Sequence, residues 1–236
     1  MQSSLFRSDP PPPKKEPGKD PAASMQAALL PHVPEGAISF IIGWLISKKV
    51  QLRISPARST KLGDYRAPRA GTIPKISVNH SLNPYSFLIT LVHEMAHHEV
   101  FLSYSSSLEH QSIFKKRKKT PPKPHGMEWK STYRELIKPL LKPAIFPDDI
   151  LQILHHYFEN PRASSKADKA LSRVLKQYDP PDGKVTVESL PVDACFHLPG
   201  GRSFQKKERV RTRYRCLCLK TKRVYLFNPL AEVFPV

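Results

Sequence analysis

A chain of 236 residues with 39% hydrophobic content can form one large domain or two small ones, with enough apolar side chains for a core. Thirty-eight Lys and Arg against twenty Asp and Glu give a net charge of +18, which points to a polyanionic partner, nucleic acid ahead of an anionic membrane surface. Three cysteines give no disulfide framework, and the longest apolar run, AISFIIGWLI at 37–46, is about half of the ~20 residues that span a bilayer.

The first residues carry no continuous apolar stretch of a secretory signal, so a soluble protein of a reducing compartment is expected, cytoplasmic and nucleoid-associated or nuclear according to cell type. Residues 1–24 hold four successive prolines, Pro10 to Pro13, and few apolar side chains, a composition that predicts a disordered tail. Glu35 to Lys49 is apolar on nearly all faces and predicts a buried helix ending in a basic turn. VQLRIS (50–55) and KISVNHSL (75–82) are expected as two strands, a hairpin being one arrangement, joined by a polar connection.

Asn83 and Pro84 form a cap and first-turn signal for a helix that runs through Phe87, Leu88, Leu91, Val92, Met95 and Ala96. The stretch LVHEMAHHEV (91–100) lies in it. Positions four apart on a helix are separated by about 40° around the axis, so His93 and His97 project side by side and can share one metal ion through nitrogen. Glu94, on the adjoining face, is placed to take a proton from a metal-activated water.

A catalytic zinc with three protein ligands needs one more donor. Residues 103–124 read as a polar loop containing Lys115, Lys116, Arg117, Lys118 and Lys119, with His110 as one candidate ligand. His125 is the better one, since it opens a helix through Trp129, Tyr133, Leu136 and Ile137. His98 points about 100° away from His97, while Glu99 and Glu128 are outside candidates. Tyr133 and Arg134 follow closely enough to be considered for an oxyanion.

Two further helices are expected at 148–160 and 164–178. From about residue 183 the period changes to two, which predicts a small antiparallel β-domain. Within it Arg209, Arg211, Arg213 and Arg215 are expected to alternate along one strand face as a track for phosphates, with Tyr214 and Phe204 as stacking partners for bases.

HEMAH followed by HGMEWK resembles the SprT-like (Spartan) metalloproteases over roughly residues 35–140. The resemblance implies His93, His97 and His125 as ligands of one catalytic Zn²⁺, Glu94 as general base, and cleavage of DNA-associated or DNA-crosslinked proteins. It implies an α+β, zincin-like domain, set at 25–143; the helices beyond it are read as a connector at 144–182 and the period-two stretch as the β-domain at 183–236. Many members carry a four-cysteine zinc ribbon there. Here only Cys195, His197, Cys216 and Cys218 remain, and one-residue spacers put each pair on one strand face, so a metal-free, ribbon-like β-domain is expected. Two other readings are a non-proteolytic nucleic-acid-binding or transcription-associated factor with a structural metal, and a zinc hydrolase of a non-peptide substrate.

Overall fold

The computed structural model describes residues 21–58, 60–111, 120–162 and 168–236, an α+β arrangement of six α-helices and two sheets. Helix α1 (Pro21–Leu29) begins four residues inside the segment expected to be disordered. Pro at a first helical position and the Ala-rich run after it favour helix, and Leu29 is buried in the core. Helix α2 (Glu35–Ser47) follows Pro34 and buries Ala37, Ile38, Ile41, Trp44 and Leu45, an i, i+3/i+4, i+7 face, while Ile46 on the other side is exposed.

Strands β1 (Gln51–Ser55) and β3 (Lys75–Asn79) pair in parallel, so the hairpin expectation is corrected. Between them in sequence lies β2 (Gly63–Arg66), antiparallel to β3, giving the order β1-β3-β2 and placing β2 at an open edge. Ile76 and Val78 point into the core from the central strand.

Helix α3 (Pro84–Gln111) carries HEMAH in its first half and extends through residues 103–111, which the sequence placed in a loop. No Gly or Pro interrupts that Ser-rich stretch, and an established helix propagates at little cost per residue. The basic run Lys115–Lys119 and the tail 1–20 lie outside the described residues. Helix α4 (Met127–Ile137) buries Trp129, Tyr133 and Ile137 against α3. Helices α5 (Asp148–Glu159) and α6 (Lys169–Lys176) follow.

The segment read as a connector does not stand apart. Ile145, Phe146, Ile150, Leu154, Leu171 and Leu175 share one apolar core with α2, α3 and α4. Gly36 of α2 lets the chain at 144–145 come close, since a Cβ there would lie 2.9 Å from the Ala144 carbonyl oxygen.

The C-terminal sheet has the order β4-β9-β5-β6-β7-β8, from β4 (Val185–Thr186), β5 (Cys195–His197), β6 (Ser203–Val210), β7 (Arg213–Cys218), β8 (Val224–Phe227) and β9 (Glu232–Pro235). It has its own core of Val187, Phe196, Phe204, Cys216, Cys218 and Val233. Arg173 of α6 grips Glu188 through two bonds of 2.7 Å, and Lys176 pairs with Glu232, tying this unit to the helices. No helix among the described residues is long and apolar enough to cross a membrane.

Asn83 ties two helices together. Its Oδ1 accepts from the Ser86 amide at 2.9 Å as the cap of α3, and its Nδ2 donates to the Leu175 carbonyl at 2.8 Å and to Asp179 at 2.6 Å. Asn83→Ala removes the cap and the side-chain donor to Asp179, and leaves the Leu175 carbonyl with backbone donors such as the Tyr178 N–H, so a loss of about 2 kcal/mol is expected in urea unfolding. A midpoint equal to that of the parent would show that water replaces both roles.

Candidate metal centre

His93 and His97 lie one turn apart on α3, and α4 delivers His125 just before its first turn. The three Nε2 atoms sit 3.2 Å (His93 to His97), 3.1 Å (His97 to His125) and 3.1 Å (His125 to His93) from one another. They form a group close enough to hold a metal ion. Three protons aimed at a common point would collide, so the arrangement suits three lone pairs around a cation. A tetrahedral ion with bonds of about 2.0–2.1 Å to nitrogen separates its ligands by about 3.3 Å, close to the spacing found.

Burial pulls His93 down to about 3, with His97 and His125 adding to the effect. Burial likewise pulls His97 down to about 4, with His125 second, and lowers His125. All three are therefore neutral near pH 7, the state in which imidazole binds a metal.

Trp129 forms the floor of the site. Its ring packs 4.6 Å from His93, 5.5 Å from His97 and 4.7 Å from His125, and its Nε1–H donates to the His93 carbonyl at 3.4 Å. His125 itself has φ = +58°, an unusual conformation for a residue with a Cβ, followed by Gly126 as the N-cap of α4.

Glu94 is 7% exposed, and its carboxylate accepts the Tyr65 backbone N–H. Burial raises it to about 7, with the negative charge of Asp64 adding to the rise. Strand β2 presses on this group: a Cβ at Gly63 would lie 2.6 Å from Glu94 Oε1 and 2.8 Å from Thr90 Cγ2. The three histidines, Glu94, Tyr133 and residues 60–65 line one cleft of about 500 Å³. Sequence reasoning missed β2, since GDYR has one apolar side chain and too few residues to show a period.

The other candidates are placed elsewhere. His110 lies 13 residues beyond His97 on the same helix, about 20 Å along it at 1.5 Å per residue, which removes it as a ligand. His98 is buried with Nδ1 3.1 Å from the Tyr65 hydroxyl, and Glu99 accepts from Trp44 Nε1 at 2.8 Å and Lys48 Nζ at 2.9 Å. Glu128 is exposed on the first turn of α4. Tyr133 lines the cleft but donates its hydroxyl to the Ile89 carbonyl at 3.0 Å. Arg134 faces away and donates to the Phe158 and Glu159 carbonyls.

The arginine track is corrected. A turn with Arg211 at φ = +53° separates β6 from β7, and Arg209 pairs with Tyr214 while Arg213 pairs with Val210. Arg209 therefore shares the core-side face with Tyr214, while Arg213 and Arg215 occupy the opposite face. Phe204 is buried, and Tyr214 lies beneath Lys206 at 4.2 Å, so this pair offers no stacking platform. The four candidate C-terminal ligands also divide: Cys195 and His197 fall on the outer face, Cys216 and Cys218 in the core. Only the three histidines form a metal-sized group among the described residues.

The chain matches no family model, no curated protein and no solved structure.

Acid sensitivity of the metal-free chain follows from these groups. Below their ordinary value of 6.5, His93 and His97 take up protons in the unfolded chain that the folded triad refuses, so their contribution is lost as pH falls toward 4 and 3. Glu94 works in the opposite sense, because between about 7 and its ordinary 4.5 the folded state alone holds the proton, so acidification adds stability there. Two losses outweigh one gain. Thermal melts of the metal-free protein should weaken from pH 6.5 to 4.5, and more steeply in Glu94→Gln. Equal slopes would mean that Glu94 titrates as an ordinary carboxylate.

Proposed function

We propose that this protein is a zinc-dependent metallopeptidase of the SprT-like type, with a zincin-like domain, acting on DNA-associated or DNA-crosslinked proteins. The observation that carries the reading is the buried carboxylate of Glu94 sharing one cleft with three neutral, converging imidazoles. A structural zinc commonly has four protein ligands, whereas three with an adjoining cleft is the pattern of a catalytic one.

His93, His97 and His125 would hold the ion, which supplies Lewis acidity toward a water molecule and a carbonyl oxygen. Glu94 takes one proton from the attacking water and returns it to the departing peptide nitrogen, so that water is consumed and an acid and an amine are formed. Burial raises the carboxyl to about 7 in the metal-free cleft, and a bound dication would lower it from there, leaving a carboxylate able to accept the proton at neutral pH. The position of β2 as an edge strand along the cleft favours a peptide over other hydrolysable substrates, because an extended chain could pair with backbone groups of that edge other than the Tyr65 N–H, which Glu94 takes. On this reading the C-terminal sheet would take the place of the zinc ribbon that many SprT-like proteins carry, without its metal. DNA as a partner rests on the net charge of +18 and on the basic run Lys115–Lys119, six residues upstream of His125 at its near end.

The test combines metal analysis with cleavage of a DNA-binding protein, with and without single-stranded DNA. One zinc per chain is expected, reduced in His125→Ala. Glu94→Gln should keep its zinc and lose on the order of 10²–10⁴ in rate. A Glu94→Gln variant as fast as the parent would remove the peptidase reading. Zinc-loaded protein that binds DNA and cleaves nothing would favour the binding factor, and cleavage indifferent to DNA would leave a general peptidase.

Gly63 gives an independent check. Gly63→Ala drives a methyl group into Glu94 and Thr90, to which the three atoms nearest it belong. Zinc content should stay at the parent value, and the cleavage rate should fall by about tenfold or more, as expected for a displaced general base. An unchanged rate would show that β2 yields freely.

A further inference from the structure

Strand β8 is an open edge of the C-terminal sheet. Its register with β7 sets its faces: Val224 lies opposite Leu217 and Leu226 opposite Arg215, while Tyr225 and Phe227 lie opposite Cys216 and Tyr214. Tyr225 and Phe227 pack on Phe204 at 5.6 and 5.0 Å, so the odd-numbered pair faces the core. Val224 and Leu226 point the other way and are 59% and 53% exposed. Edge strands usually carry charges or a covering segment that stop another strand from adding. Here apolar side chains occupy the edge itself.

The surroundings are strongly cationic. Residues 201–228 contain ten Lys and Arg and one acid, Glu208, which pairs with Arg215 at 2.9 Å. Lys220, Lys222 and Arg223 lie at the turn where β8 begins, and Arg213 and Arg215 share the face of Val224 and Leu226.

We propose that β8 is a docking edge for an extended segment of another protein, added antiparallel as a seventh strand, apolar at alternate positions and acidic at the end beside the 220–223 turn. The unpaired backbone groups of β8 take the added strand, Val224 and Leu226 take its apolar side chains, and the turn cations take its acids. A second copy of this chain fits less well, because pairing β8 with β8 would bring two such cationic hairpins within a screening length of about 8 Å. A nucleic acid would use the cations and leave Val224 and Leu226 unburied.

The full chain is titrated into a fluorescein-labelled octapeptide, VTITVDED, read by anisotropy, beside STSTSDED of equal charge and an eight-residue oligothymidylate. VTITVDED should bind at least about tenfold more tightly than STSTSDED, and the double variant Val224→Glu, Leu226→Glu should lose at least about tenfold in affinity for VTITVDED. Both positions are exposed, so the variant's melting temperature should match the parent's, and the loss then reads docking rather than folding. Equal binding of the two peptides would reduce the edge to charge alone and overturn the proposal. So would VTITVDED binding that ignores the double substitution, oligothymidylate binding that is tighter than the peptide's and lost in the same variant, or a dimer in light scattering that the variant abolishes.

Discussion

Burial of α3 is the constraint on which the rest depends. From Phe87 to Ala96 most of its side chains are sealed in the core, so each polar group there has to find a partner inside the protein. Most do. Thr90 donates to the Ser86 carbonyl, Glu94 accepts from the Tyr65 amide, His98 meets the Tyr65 hydroxyl, and Glu99 meets Trp44 and Lys48. His93 and His97 are the exception: the partners of their Nε2 atoms are each other and His125, three bases that gain little from one another and much from a shared cation. Two places on the helix are thus left short: the Nε2 of His98, buried without a partner among the described residues, and the pair His93 and His97, which a metal ion would complete.

The third histidine comes from a backbone that has been bent to deliver it. The αL conformation of His125 costs about 1–2 kcal/mol for a residue with a Cβ, and such strain persists where its surroundings over-determine it. Those surroundings are visible. The Gly126 amide closes a turn onto the Lys123 carbonyl, α4 starts at once, and Trp129 packs against all three imidazoles from one turn further on. Because Trp129 and Tyr133 also belong to the core, the placement of His125 is coupled to the folding of the whole unit, and α5 contributes through Phe158 against Tyr133.

What could be read from the sequence followed from local periodicity. His93, Glu94 and His97 sit at i, i+1 and i+4 on a helix whose start is written in Asn83-Pro84, and His125 stood out because a helix begins beside it. Pairing partners were hidden, since alternation identifies β1 and β3 as strands and is silent on direction. β2 was hidden because four residues with one apolar side chain carry no period, although they supply Gly63 and the Tyr65 amide against Glu94. The arginines misled for a related reason: alternation at 209, 211, 213 and 215 is the same whether the chain runs straight or reverses, and the reversal at Arg211 and Thr212 uses neither Gly, Asn nor Pro. Residues 144–182 looked separable because only the three-dimensional structure shows that Phe146, Leu154 and Leu171 belong to the same core as α3.

The net charge of +18 bears on the role proposed for Glu94, because a cation beside a carboxyl favours its ionised form. The cleft meets this with Asp64. Its carboxylate takes Lys61, just before β2, at 2.7 Å and Arg66, at the end of β2, at 3.0 Å. The same Asp64 charge also pushes Glu94 upward, behind burial itself, while Lys61 and Arg58 pull weakly the other way. One aspartate on a short edge strand therefore adds to burial in holding the Glu94 carboxyl above its ordinary value, against the net charge of the chain.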